Sequence, residues 1–304
     1  MKIAILKTSA AIGAYAADII ENRISCGRMK VLGVATGSSP LPVYQELAAR
    51  RPEGLSALSA FALDEYVGLS PSHPESYHAV IDREVTKPLG LDPERVHVPD
   101  GTATDLEGAC AGYEERITAF GGIDLQLLGI GSTGHIGFNE PTSSLSSRTR
   151  IKTLTPETRK DNARFFNSPD EVPTHCLTQG LGTIMDAKEV VLIAQGRSKA
   201  KAIAGLIEGP VSAMCPGSVL QMHPQATVIL DEEAAAELKG AAYYKYVAEN
   251  LPLWQRYPDA LGKPHPKSHA LAEAGCSLRP HRPQRTPPGY KRCGRDRMGG
   301  NPGP

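Results

Sequence analysis

The sequence predicts an α/β fold: an open, mostly parallel sheet with helices on both faces, followed by a disordered C-terminal tail. Three observations carry this expectation. Short, mostly apolar runs end in Gly or Asp. Patterns with apolar residues at spacings of three and four alternate with those runs over roughly 230 residues, as helices packed on a parallel sheet do. Beyond residue 258 the composition changes to Pro, Gly and basic side chains. The arrangement this implies is three-layered and Rossmann-like.

The strands come first. Residues 31–35, 60–63, 125–130, 190–194 and 226–230 are short, mostly apolar runs that read as buried strands. A strand covered on both faces has no solvent side and so needs no polar alternation. Between them, 15–24, 106–120 and 199–207 carry the amphipathic helical period, and 41–49 reads as a further helix. In an open sheet of this kind ligands sit beyond the carboxyl ends of the strands. The residues there are polar and Gly-rich: Thr36-Gly37-Ser38-Ser39-Pro40, Asp64-Glu65-Tyr66, Gly131-Ser132-Thr133-Gly134-His135 and Gln195-Gly196-Arg197-Ser198-Lys199. Four loops are therefore expected to face one site.

Composition bounds the function. The chain has 304 residues, of which 40% are hydrophobic and 22% charged, which suits one large folded domain (1–258) with an appendage (259–304). Aromatics at 5% argue against recognition of nucleic acid by base stacking. The net charge of zero conceals an asymmetry, because 259–304 holds nine Lys/Arg against three Asp/Glu. Without interleaved aromatics, that basic tail reads as a solvated, disordered extension rather than a nucleic-acid arm. No run approaches the roughly 18 apolar residues of a membrane span. The opening MKIAILKTSA lacks the apolar region and cleavage site of a secretory signal, so a cytoplasmic protein is expected. The six cysteines, at 26, 110, 176, 215, 276 and 293, form no Cys-x-x-Cys pair, which speaks against a zinc site or a disulfide framework.

The loops also suggest chemistry. Gly37, Ser38 and Ser39 lie between a strand and a helix, where small residues let backbone N–H groups converge on an anion and the helix dipole favours negative charge. The pattern is neither a P-loop nor the dinucleotide fingerprint, and an ordinary strand-to-helix turn is its competitor. Arg164 and Lys199 would supply cations to the same phosphate, Arg as a fork and Lys as a point charge. Asp64 directly follows an apolar strand, where a buried carboxylate needs a partner or a function. A helix N-cap is the competing explanation. His135 stands in a Gly-rich loop with Glu140 five residues on, an arrangement suited to an acid–base pair in which the carboxylate orients the imidazole.

ATGSSPLPVY (35–44), LDEYVGLSPSHPESY (63–77), GIGSTGHIGFNEPTSSLSSRTRIKTLT (129–155) and NARFFNS (162–168) together resemble the signature segments of the glucosamine-6-phosphate deaminase family, in order, across about residues 1–255. The resemblance implies an isomerising deamination of glucosamine 6-phosphate to fructose 6-phosphate and ammonia, with no metal and no cofactor. It implies that Asp64 moves the proton between C2 and C1, and that His135, supported by Glu140, assists ring opening. Gly37, Ser38, Ser39, Arg164 and Lys199 would hold the phosphate, with 154–176 as a mobile lid. Many family members carry an acidic residue where this chain has Thr133, a hydroxyl that can bond an imidazole but cannot stabilise its charge as a carboxylate does.

Some members are hexamers activated by N-acetylglucosamine 6-phosphate, and Ser143, Arg150 and Lys152 match their effector residues. Structural ion pairing is the competing account of Arg150 and Lys152. Tyr243-Tyr244-Lys245-Tyr246 does not match the regulated members cleanly. The alternatives are a 6-phosphogluconolactonase-like hydrolase and a sugar-phosphate-binding regulator that has lost catalysis.

Overall fold

The computed structural model describes residues 1–251, and the chain there passes through ten strands. They are β1 (Lys2–Leu6), β2 (Val31–Val34), β3 (Ser59–Ala62), β4 (Asp64–Tyr66), β5 (Val96–His97), β6 (Leu125–Leu128), β7 (Arg150–Thr153), β8 (His175–Thr178), β9 (Glu189–Ala194) and β10 (Ala226–Asp231). Seven form one sheet in the order β1-β10-β9-β6-β2-β3-β5, and every neighbouring pair in it is parallel. The remaining three form a small antiparallel sheet, β4-β8-β7. The expected tail, 259–304, and the boundary at 258 lie outside the described residues.

Alternate residues of the large sheet feed two cores, as a period of two requires. Leu32, Val34, Ala60, Ala62, Leu125, Leu127, Val191 and Ile193 meet the helices Ser9–Ser25 and Leu41–Arg50 on one face. Val31, Phe61, Leu128, Val190, Leu192, Val228 and Leu230 meet Leu106–Ala119 and Ala200–Glu208 on the other. The helices Ser9–Ser25 and Leu106–Ala119 begin where a side chain takes a first-turn N–H: Thr8 accepts from Ala11 and Asp105 from Gly108. Fully burying one such Leu, Ile or Val contributes about 1.5–3 kcal/mol, so these layers, rather than helix propensity, hold the sheet ends in place. No helix among the described residues is long and apolar enough to cross a membrane.

The five expected strands are β2, β3, β6, β9 and β10, with ends shifted by a residue or two. The reading missed β1 and β5, the two edges of the sheet: both carry half-buried positions, so neither is a continuous apolar run. It also missed the small sheet, whose strands are short and largely polar.

Sequence order along the sheet reverses between β2 and β6. From β2 the chain builds outward through β3 to β5, and from β6 it builds the other way through β9 to β10. A crevice is expected where the two halves diverge, at the carboxyl ends. The four polar loops follow β9, β6, β2 and β3, which are adjacent in that order.

Candidate active site

The loop after β2 is fixed at its root. Tyr44 reaches back from the following helix to accept the N–H of Ala35 and to donate its hydroxyl to the Ala35 carbonyl. Gly37 then turns with φ +88°, a conformation that side-chain-bearing residues rarely adopt. Pro40 is the N-cap of the helix rather than its first residue, and Pro42 supplies the early helical proline. Gly129, across the crevice, packs beneath Ser39: a Cβ there would lie 3.6 Å from that of Ser39. The candidate phosphate loop and the His135 loop are therefore neighbours.

Asp64 opens β4, where it pairs with Thr178, so it is not a helix N-cap. The next residue meets a helix start instead. Glu65 accepts N–H groups from Tyr77 and His78 at 2.9 and 2.8 Å, at the start of helix Tyr77–Ile81, as well as its neighbour Tyr66 N–H at 2.7 Å. Asp64, its neighbour on the strand, points to the opposite face. It is buried, and loss of water, together with the nearby charge of Glu65, pushes its pKa well above the usual carboxylate range. Gly137, two residues past His135, lies against it: a Cβ there would come within 3.6 Å of Asp64 Oδ2. Thr178 joins the same two segments, since its hydroxyl accepts the N–H of Phe138 at 3.1 Å.

His135, Glu140 and Thr133 form a closed set of contacts. His135 Nδ1 lies 3.1 Å from Glu140 Oε2 and 2.9 Å from Thr133 Oγ1, and Thr133 Oγ1 donates to the same carboxylate oxygen at 3.2 Å. The loop bends tightly to make this possible. Gly131 N–H bonds the His135 carbonyl at 2.9 Å, and a Cβ on Gly131 would overlap the imidazole. On its other oxygen Glu140 takes the hydroxyls of Thr155, at 3.2 Å, and Thr158. Burial alone would favour its protonated form. The hydrogen bond and charge of His135, with the bonds from Thr158 and Thr133, outweigh it and hold the pKa at about 2.

A proton count assigns the tautomer. Glu140 is ionised and only accepts, and the Thr133 proton goes to it, so both neighbours of Nδ1 are acceptors toward the ring. Nδ1 therefore carries the proton in the neutral imidazole, and Nε2 keeps its lone pair.

Arg164 lies in a turn at Ala163–Phe165, exposed, with its guanidinium 4.7 Å from the centre of the Phe165 ring. Lys199 ends the turn after β9, half-buried. Burial lowers its pKa, the charge of Asp161 raises it and that of Arg164 lowers it, so the two cations sit in each other's field. The expected 154–176 segment contains the helix Pro156–Asn162, but its last residues already belong to β8, where Cys176 is buried.

Of the remaining expected residues, Ser143 is buried and its hydroxyl has no partner among the described residues. Arg150 and Lys152 share the inward face of β7. Arg150 Nη1 bonds Asn139 Oδ1 at 2.9 Å, an amide contact rather than an ion pair, and Nη2 is buried without a partner. Tyr244 bonds Glu208, while Tyr243 and Tyr246 are exposed.

Sequence reasoning missed the aromatic wall beside Asp64. Tyr66, Tyr77, Phe138 and Phe166 pack there, Tyr77 stacked on Phe138, Tyr66 tilted against both and edge-on to Phe166, and Tyr66 Oη accepts from Tyr77 Oη and Asn162 Nδ2. It also missed Thr155 and Thr158, which carry no motif beyond a helix start. Among the described residues no cluster of three or more His, Cys, Asp or Glu has a metal-binding arrangement, and Cys26, Cys110, Cys176 and Cys215 are free thiols.

Comparison with known proteins gives a consistent picture. Residues 6–229 match the family model described as glucosamine-6-phosphate isomerases/6-phosphogluconolactonase. A glucosamine-6-phosphate deaminase of Pseudarthrobacter chlorophenolicus is 59% identical over 257 residues, covering 84% of this chain and 99% of its own. One from Cutibacterium acnes is 56% identical over 249 residues, covering 81% and 95%. Among solved structures, a monomeric glucosamine-6-phosphate deaminase superposes with TM-score 0.75 at 40% identity, covering 78% of this chain and all of its own. A 6-phosphogluconolactonase from Trypanosoma cruzi, at 20% identity and TM-score 0.65, shares the fold.

Proposed function

Because the chain belongs to the glucosamine-6-phosphate isomerase/6-phosphogluconolactonase family, we propose that its crevice carries out the deaminase half of that name: glucosamine 6-phosphate and water give fructose 6-phosphate and ammonia. The observation that carries the residue assignment is the convergence of Asp64 and the His135 loop, with Gly137 seated against the Asp64 carboxylate. The identity to deaminases favours this reading over the lactonase, to which the likeness is one of fold.

The reaction needs two kinds of proton traffic. To open the pyranose, the C1 hydroxyl loses its proton, the C1–O5 bond breaks and O5 gains a proton. His135 Nε2, with its lone pair free, is the group suited to relay that proton. Glu140 stabilises the imidazolium that forms in between. In the open aldehyde, Asp64 takes the proton from C2 while the C2 ammonium gives a proton to O1, leaving a neutral enolamine and a protonated Asp64. Returning the proton to C1 gives the ketimine, water adds at C2, and ammonia leaves. Burial makes Asp64 a stronger base once ionised, and the substrate's ammonium at C2 is the charge that favours its ionised form. Gly37, Ser38, Ser39, Lys199 and Arg164 hold the phosphate, with Arg164 brought in on the 154–176 segment acting as a lid that excludes water.

A second anion site is proposed at Ser143, Arg150 and Lys152. The unpartnered Ser143 hydroxyl and Arg150 Nη2 favour it, and N-acetylglucosamine 6-phosphate is its expected ligand. Calorimetric titration of the parent and of Arg150→Ala tests it, and equal affinity would remove it. Light scattering of the purified chain separates a hexamer from a monomer like the 40% identical relative.

The deciding experiment supplies purified protein with glucosamine 6-phosphate and measures ammonia and fructose 6-phosphate together. Equal amounts of both are expected. Hydrolysis of 6-phosphogluconolactone with no ammonia would establish the lactonase instead, and binding without turnover the regulator.

A further inference from the structure

Glu140 is held from two directions that belong to different parts of the fold. Its Oε2 meets His135 and Thr133, from the loop after β6. Its Oε1 meets only Thr155 and Thr158, from the first turn of helix Pro156–Asn162. Thr155 is the N-cap of that helix, accepting the Thr158 N–H at 3.1 Å, and its hydroxyl also lies 3.1 Å from the Thr158 hydroxyl. One hydroxyl donates one proton, so Thr155 must divide its own between Thr158 and the carboxylate, whereas Thr158 gives its proton to Glu140. The rest of the helix is tied to the site by Ser132 to Glu157, at 3.2 Å, and by Asn162 to Tyr66, at 2.9 Å. The segment that carries Arg164 cannot lift away without stripping both donors from Oε1.

We propose that Thr158, aided by Thr155, is a positioning residue that makes the proton affinity of His135 depend on whether the 154–176 segment is docked. With the segment in place, Glu140 shares its charge among four donors, of which His135 is one. With the donors gone, the carboxylate concentrates on Nδ1–H, and Nε2 holds a second proton more tightly. Docking would thus set the imidazole free to work as a base only when the phosphate-binding Arg164 has arrived. The inference rests on the deaminase reading. The other titratable groups around the pair are Asp64 on β4, Glu157 on the helix and Cys176 on β8, whose thiol burial keeps protonated, with Lys152 and Arg150 on β7 acting on it. No hydrogen bond links any of these to Oε1.

The test is the pH profile of kcat/KM for the parent, Thr158→Val, Thr158→Ala and Thr158→Ser. Loss of the hydroxyl should move the acid limb up by about one pH unit, and serine should restore it. A role confined to packing would change the magnitude but leave the limb in place, and a Val or Ala profile with the parent's limb would overturn the proposal. The ¹⁵N imidazole titration of His135 in the full chain reads the same shift without substrate. If the parent releases no ammonia, the deaminase reading fails, and this titration alone decides: an unmoved His135 in a folded Val or Ala variant overturns the latch.

Discussion

Nδ1 of His135 stands 3.1 Å from Oε2 of Glu140, a carboxylate whose pKa is held at about 2, so the ring always has an anion behind it at working pH. Glu140→Gln removes that anion while keeping the shape. Turnover should fall by about 10²–10⁴-fold, the range of a positioned proton transfer. Stability should respond with a definite sign. The folded pKa lies below the ordinary glutamate value of 4.5, so Glu140 contributes stability that is fully present above that value and lost as pH falls toward 2. Urea midpoints across that window should fall more steeply for the parent than for Glu140→Gln. Equal slopes would mean the carboxylate is not held as described.

Thr133 Oγ1 lies 2.9 Å from His135 Nδ1, at the position where the family resemblance leads one to expect an acidic residue. Thr133→Asp would place a second carboxylate at Nδ1, raise the proton affinity of the imidazole and move the acid limb of kcat/KM upward by about one pH unit or more. A superimposable pH profile would show that the position is idle.

Asp64 pays for its placement in stability. Its raised pKa means that the folded state disfavours the ionised form, a penalty present at neutral pH and relieved as pH falls below the folded pKa. Asp64→Asn should therefore abolish turnover, leave sugar-phosphate binding nearly unchanged and raise Tm by a few degrees, the trade expected of a catalytic group held where the fold does not favour it. A variant that still deaminates at the parent rate would remove Asp64 from the mechanism. A lowered Tm would mean that the carboxylate has a structural partner.

The parts of the fold that were legible in the sequence are those where chemistry and pattern coincide. The buried strands announced themselves as apolar runs, and because parallel strands end on the same edge, the loops carrying Thr36, Asp64, Thr133 and Lys199 are expected at one edge of the sheet without coordinates. The edge strand β1 and the polar strands β4, β7 and β8 were not legible, since half-buried positions or polar side chains leave no apolar run to detect. Glu65 shows the same limit at the site. Beside Asp64 it looks equivalent, and only the arrival of the Tyr77 and His78 N–H groups, twelve and thirteen residues on, separates the carboxylate that meets a helix start from the one packed against Gly137. Thr158 was invisible because its partner comes from another loop.

Lys199 is half-buried, with burial and the charge of Arg164 opposing its charged form and that of Asp161 favouring it, so a bound phosphate would add to the support Asp161 gives. Lys199→Ala should raise KM for glucosamine 6-phosphate by about 10- to 100-fold, the worth of one hydrogen bond to a charged group, with a smaller effect on kcat. Glucosamine without the phosphate should be handled equally by parent and variant. An unchanged KM would place the phosphate elsewhere.

Gly131 provides a test of the His135 loop that leaves every reacting group in the chain. It sits directly beneath the imidazole, and its N–H bonds the His135 carbonyl, so a methyl there has no space unless the ring rotates away. The side chains that anchor the rest of the loop are remote from that methyl: Thr178 holds Phe138, and Asn139 bonds the carbonyls of Ile136 and Gln179. Gly131→Ala should therefore fold, bind sugar phosphate with near-parent affinity and lose turnover by about the 10²–10⁴-fold that displacing an acid–base group removes. Its His135 resonance should lose the signature of the Glu140 contact. If turnover persists with the imidazole displaced, the ring is not the proton carrier, because nothing else in the loop has been altered.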